Sequence, residues 1–219
     1  MPPISSAILV TRPRHDDITY YFHQWTESIL DFLTQKGIRY FDLDDQKANR
    51  KTFESYNQAN KPGLLFFNGH GSTDCICGHN DEALIRMGDN ERTTEGKIVY
   101  ARSCFTGVGL GDSCVLNGDA KAFIGYVNGF AIMYDPNMAH DPKSDRIAEP
   151  FFRCSNIIVM TLLKGKTVSQ AVLRSYDEFK KTYDTISTSG DQDLIHTLPY
   201  LRSNAIGLRA IGDPDARIT

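Results

Sequence analysis

Leu64-Leu65-Phe66-Phe67-Asn68-Gly69-His70-Gly71-Ser72 decides the reading of this chain, together with its counterpart Lys97-Ile98-Val99-Tyr100-Ala101-Arg102-Ser103-Cys104. Each starts as a continuous apolar run rather than an apolar-polar alternation, the pattern of a strand buried on both faces. Each ends on a residue able to do chemistry, an imidazole followed by glycine in the first and a thiol in the second.

Working outward, Ser6-Ala7-Ile8-Leu9-Val10-Thr11 repeats the buried-strand pattern and stops at Arg12-Pro13. Asp16 or Asp17 can cap a helix carrying Ile18, Tyr21, Phe22, Trp25, Ile29, Leu30 and Leu33 at helical spacing. Ile38 to Leu43 reads as a second strand, residues 46–59 as a polar helix, and residues 73–96 as a small hairpin region. Phe105 to Asn117 reads as a helix and Ala122 to Val127 as a further strand. Residues 144–164 and 167–186 read as two helices split at Lys164-Gly165. A polar stretch over 187–193, a short helix and a last strand near 206–211 complete the chain. Strands alternating with helices predict an α/β fold: a mostly parallel sheet of about six strands with helices on both faces. With no repeat or linker in sight, residues 1–219 read as a single domain. Sites in such sheets gather beyond the carboxyl ends of the strands, so Arg12 to Asp16, His70-Gly71 and Cys104 should share one rim.

The 219 residues are 41% hydrophobic and carry a formal charge of −3, enough apolar content for a core and too little positive charge to wrap nucleic acid or an anionic membrane. No run approaches the roughly 20 apolar residues that span a bilayer. Met1-Pro2-Pro3-Ile4-Ser5-Ser6 lacks a basic leader. Five cysteines, an odd number, suit reduced thiols and a cytoplasmic location better than a disulfide framework.

A thiol beside an imidazole is the minimum for nucleophilic acyl transfer: the thiolate attacks and the imidazole relays its proton. Gly71 leaves a backbone N–H open to a substrate carbonyl, and with the N–H of Cys104 it could form an oxyanion hole. Taken singly, a histidine or a strand-end cysteine is more often structural. Two buried strands ending in His-Gly and Ser-Cys, in that order, favour chemistry.

A hydrophobic block closing on His-Gly, followed by one closing on Cys, resembles the caspase-like cysteine peptidases, a group that includes caspases, gingipains and CHAT domains. The stretch Asp74-Cys75-Ile76-Cys77-Gly78-His79 is similar to the hairpin after their catalytic histidine, and Gly212-Asp213-Pro214 to the closing motif of gingipain-type domains. In place of the caspase Gln-Ala-Cys-Arg-Gly the chain has Arg102-Ser103-Cys104-Phe105-Thr106-Gly107, which sets it apart from caspases proper. The resemblance implies a three-layer, flavodoxin-like sandwich and a cysteine endopeptidase acting on protein or peptide substrates without a cofactor. His70 would be the acid/base and Cys104 the nucleophile, with Gly71 and Cys104 as oxyanion donors. The alternatives are a catalytically silent regulatory module of the same fold, or a flavodoxin-like small-molecule binder.

In several relatives the residue two before the nucleophile lines the S1 pocket. Arg102 holds that position, and strand alternation would turn it to the side of Cys104. A guanidinium there would select Asp or Glu at P1; Arg12 and Arg14 fall where caspases place a P1-binding arginine. Arg102 could instead pair with an internal acid such as Asp74 or Asp112. Preference for Arg or Lys at P1 would need an acid, for which Asp135 is the candidate, although Asp135-Pro136 also reads as an ordinary turn. Cys75, Cys77, His70 and His79 lack zinc-site spacing, so no metal is expected. Gly107, Gly109 and Gly111 do not fit a dinucleotide fingerprint. His15, His23, His140 and His196 form no pattern.

Overall fold

A computed structural model describes residues 5–218. Met1 to Ile4, part of the segment read for a leader, lie outside the described residues. The strands are β1 (Ile8–Arg12), β2 (Tyr40–Asp44), β3 (Leu64–Asn68), β4 (Cys75–Cys77), β5 (Ala83–Arg86), β6 (Ile98–Arg102), β7 (Ala122–Tyr126) and β8 (Leu208–Gly212). The helices are α1 (Asp17–Gln35), α2 (Arg50–Asn60), α3 (Leu110–Leu116), α4 (Glu149–Leu162), α5 (Val168–Ser189), α6 (Gln192–Ile195) and α7 (Leu198–Gly207).

Six strands form one sheet in the order β2-β1-β3-β6-β7-β8, and β4 and β5 form a separate antiparallel hairpin. The five strands from β2 to β7 run parallel, whereas β8 closes the edge antiparallel to β7. The chain is therefore α/β with a mostly parallel, mixed sheet.

Both faces of the sheet are buried, and that is why its strands read as unbroken apolar runs. Ile8, Val10, Leu64, Phe66, Ile98, Tyr100 and Ile124 pack beneath α1, α4, α5 and α7. Their alternating neighbours Leu9, Leu65, Phe67, Val99, Ala101 and Phe123 face Phe53 of α2, Leu110 and Cys114 of α3, and the hairpin. Each fully buried Leu or Phe adds about 2 kcal/mol through apolar burial, so a one-residue slip of any inner strand would exchange its two sets of core contacts.

The helices read over 46–59 and 144–164 begin only at Arg50 and Glu149, and two further helical boundaries differ for a backbone reason. The helix expected over Phe105–Asn117 begins only at Leu110, because Phe105 (φ 59°) and Gly109 (φ 67°) hold left-handed conformations that no helix admits. The polar stretch expected from 187 is helical as far as Ser189, where left-handed Gly190 (φ 74°) ends α5. Among the described residues, no helix is long and apolar enough to cross a membrane.

Candidate active site

Strand order reverses at β1: the chain leaves β1 into α1 on one face of the sheet, and leaves β3 into the hairpin on the other. In sheets of this kind such a divergence is where sites gather, beyond the carboxyl ends of the strands. The register then places the two reactive residues. Asn68 of β3 pairs with Arg102 of β6, so His70 and Cys104 each stand two residues past a paired position.

Two glycines let the exits of these strands come together. Gly69 has φ 139°, a conformation that side chains avoid, and a Cβ there would lie 2.9 Å from the Cys77 carbonyl oxygen. A Cβ on Gly71 would lie 2.9 Å from Ser103 Cβ, 2.8 Å from Thr106 Cγ2 and 3.2 Å from the Cys104 carbonyl oxygen. Gly71 therefore rests directly on the turn that carries the thiol. Its bridge to Ile76 is closed by neighbouring groups, with Cys77 N–H donating to the His70 carbonyl and Ser72 N–H to that of Cys75. The N–H groups of Gly71 and Cys104 find no acceptor among the described residues. Both amides expected as oxyanion donors are thus without a partner, on two segments that touch through Gly71 and the Ser103–Cys104 turn.

His70 Nε2–H donates to Asp16 Oδ2 at 2.7 Å. The other oxygen of Asp16 accepts from Thr19 N–H at 2.7 Å, and the Thr19 hydroxyl accepts from Asp16 N–H at 3.1 Å, a capping box at the start of α1. One carboxylate therefore both caps a helix and orients the imidazole. Burial works to raise the Asp16 carboxyl, but hydrogen bonds from Thr19 and His70 outweigh it and hold the group below its usual 3.8. A lowered carboxylate stabilises the fold above that value, and the contribution fades as acid titrates the folded carboxyl. Asn caps helices as well as Asp does, whereas Ala costs about 1 kcal/mol. Asp16→Asn should hold the thermal midpoint and Asp16→Ala should lower it. On the expectation that the chain hydrolyses peptides, both should slow that hydrolysis by about tenfold or more, because the imidazole loses its anionic partner. Melting curves set beside peptide-hydrolysis rates check this.

Of the five thiols only Cys104 is partly exposed; Cys75, Cys77, Cys114 and Cys154 are buried. Cys104 Sγ lies 3.9 Å from the Phe130 carbonyl oxygen in the loop after β7 and has no hydrogen bond to His70 among the described residues. Burial pushes its thiol above the ordinary value despite the Phe130 contact, so the resting group is the protonated thiol. Cys77, Cys114 and Cys154 are pushed up to about 12, chiefly by burial. Cys75 Sγ and Cys77 Sγ lie 3.6 Å apart in β4. His79 turns away from them to Asp45, 3.1 Å off, so the Cys75/Cys77/His79 grouping does not assemble.

The arginines expected at S1 are differently employed. Arg102 is wholly buried, and its guanidinium donates to Asn68, Thr26, Ser155, Asn156 and the Phe22 carbonyl. Its alternative partners pair elsewhere, Asp74 with Arg86 and Asp112 with Arg209. Arg102 therefore has no N–H left for a substrate. Arg12 is 6% exposed and forks onto Asp42. Arg14 stays half exposed, with Asp45 3.3 Å away. Asp135 caps the turn at Asn137, and it lines a cavity of about 440 Å³ with Tyr134, Asp145, Arg146, Asp193 and His196.

Two residues at this rim carry no pattern in the sequence, His15 and Asp81. His15 stands between His70 and His79, with ring centroids 6.0 and 5.4 Å away. The rim rule marked His15 and Asp16 by position, but it could not say what they touch. No family model and no curated protein matches the chain.

Proposed function

We propose that this chain is a caspase-like cysteine endopeptidase. The observation that carries the proposal is the seating of Gly71 against Ser103 and the Cys104 carbonyl, which brings the segment after His70 onto the turn that carries the one partly exposed thiol. Support comes from Asp16, which orients His70 as the third member of a catalytic triad does.

In this reading His70 takes the proton from Cys104 as Sγ attacks the scissile carbonyl carbon and forms a C–S bond. The carbonyl oxygen becomes an oxyanion held by the N–H groups of Gly71 and Cys104. On collapse the C–N bond breaks, and His70 passes its proton to the leaving amine. Water then attacks the thioester with His70 as base, which releases the acid product and restores the thiol. Because the thiol rests protonated, the proton moves during attack rather than before it.

Acidic P1 specificity loses Arg102 and Arg12, which are committed to internal partners, and rests on Arg14 alone. The Asp135 cavity also holds Asp145 and Asp193, but Asp145 is buried and accepts from Tyr21 and from the amides of Asp135, Ile147 and Ala148, while Asp193 pairs with Arg146. Asp135, whose Oδ1 alone is used in the turn at Asn137, is the acid left for Arg or Lys at P1, and we take that preference as the one to test. A fluorogenic peptide library varied at P1 tests the reading: cleavage after Arg or Lys, lost in Cys104→Ala, is expected. Cleavage after Asp or Glu would move the pocket to Arg14. Cleavage at no P1 residue would favour the silent module.

A further inference from the structure

His15 follows β1, and its imidazole is 12% exposed, with both ring nitrogens shut off from solvent and without a hydrogen-bond partner. A buried polar group left unpaired is destabilising, so such a ring calls for a partner. Carboxylate oxygens of Asp16 and Asp81 each stand 3.5 Å from Nε2, outside hydrogen-bond geometry. Asp81 is carried there by the hairpin turn, where Asn80 (φ 53°) and Asp81 (φ 59°) both hold left-handed backbone. One ligand atom each from His15, His70 and Asp81 lies within 4.8 Å of the others.

We propose that His15, His70 and Asp81 bind one divalent transition-metal ion, zinc by preference, at the rim beyond the strand ends. Bonds of about 2.0–2.2 Å put tetrahedral ligand atoms roughly 3.3 Å apart, so side-chain rotation of about 1.5 Å or less closes the set. Two imidazoles and one carboxylate suit zinc and its first-row neighbours, whereas calcium and magnesium take oxygen ligands. Three protein ligands leave a fourth position for water. The ion meets the unpaired imidazole of His15 and draws three strands' exits together. It also occupies His70, so the loaded protein should not hydrolyse peptides; this consequence rests on the peptidase reading, while binding does not.

The test uses the full chain stripped with a chelator, titrated with Zn²⁺ by calorimetry and with Co²⁺ by absorption. One equivalent is expected to bind, with no thiolate-to-cobalt charge-transfer band. Affinity should fall by more than about 100-fold in His15→Ala, since outer partners alone are worth 10–100-fold. Asp81→Asn, at an exposed position, should weaken binding with the fold intact by circular dichroism. Zinc should stop wild-type hydrolysis until a chelator is added, and leave hydrolysis by His15→Ala unaffected. Absence of saturable binding, a thiolate band, or unchanged affinity in both variants would overturn the site. Binding lost in His15→Ala, in a stripped protein that cleaves no peptide, would keep the site and sink the peptidase. Cleavage without zinc binding would do the reverse.

Discussion

His70→Ala is expected to slow peptide hydrolysis by about 10²–10⁴-fold, the usual worth of a positioned acid/base group. Stability should hardly change. The ring is 38% exposed and its one hydrogen bond is to Asp16, itself 39% exposed, a pairing worth about 0–1 kcal/mol. Without the imidazole the thiol must ionise unaided, and burial holds it above its ordinary value. Residual hydrolysis in the variant should therefore climb with pH beyond neutrality, as the thiolate fraction grows. The matching Cys104→Ala variant should show no such climb. Equal rates in His70→Ala and wild type across the pH range would remove the imidazole from the mechanism.

Arg102→Ala should be the most damaging single change to the fold, at about 3–5 kcal/mol, since it removes a large, wholly buried side chain and strands its polar partners. The guanidinium is pulled down to about 10 by burial and so remains a cation at neutral pH, yet no carboxylate faces it. What it has instead is a ring of neutral acceptors: Asn68 Oδ1 at 2.6 and 2.9 Å, Thr26 Oγ1 at 2.6 Å, Asn156 Oδ1 at 2.8 Å and Ser155 Oγ at 3.2 Å. The rings of Phe22, Phe66 and Phe152 stand 5.1–5.3 Å from its Cζ. These partners belong to α1, β3 and α4, so one side chain ties three elements directly beneath the exits that carry His70 and Cys104. Truncation leaves four buried polar side chains short of a partner as well as a cavity. Arg102→Lys should recover only part of the loss, because one ammonium cannot span the fork. Urea denaturation measures both variants. A loss below about 1 kcal/mol in Arg102→Ala would contradict the assignment.

The strands were legible because burial on both faces leaves a signature, the unbroken runs at Ile8–Val10, Leu64–Phe67 and Ile98–Ala101. A cap at Asp16 or Asp17 was legible from their place before an apolar helix, and Asp16 is the one that holds it. Arg102 was misplaced for a specific reason. Period-two alternation puts it on the side of Cys104 only if the strand continues, but β6 ends at Arg102, and left-handed Phe105 turns the chain just after the thiol. The alternation rule does not hold through that turn. The meeting of Asp81 with His15 depends on a left-handed hairpin turn formed by Asn and Asp, residues that tolerate this backbone without announcing it. The antiparallel direction of β8 was likewise hidden, since the side chains of a short edge strand carry no record of its direction.

The most direct measurement of the central claim is the rate of alkylation by iodoacetamide at neutral pH, with each modified thiol mapped by mass spectrometry. Cys104 should react before Cys75, Cys77, Cys114 and Cys154, and its rate should fall about tenfold or more in His70→Ala. Reaction of Cys104 at the same rate in both proteins would show a thiol that is merely accessible, and would contradict the catalytic pairing.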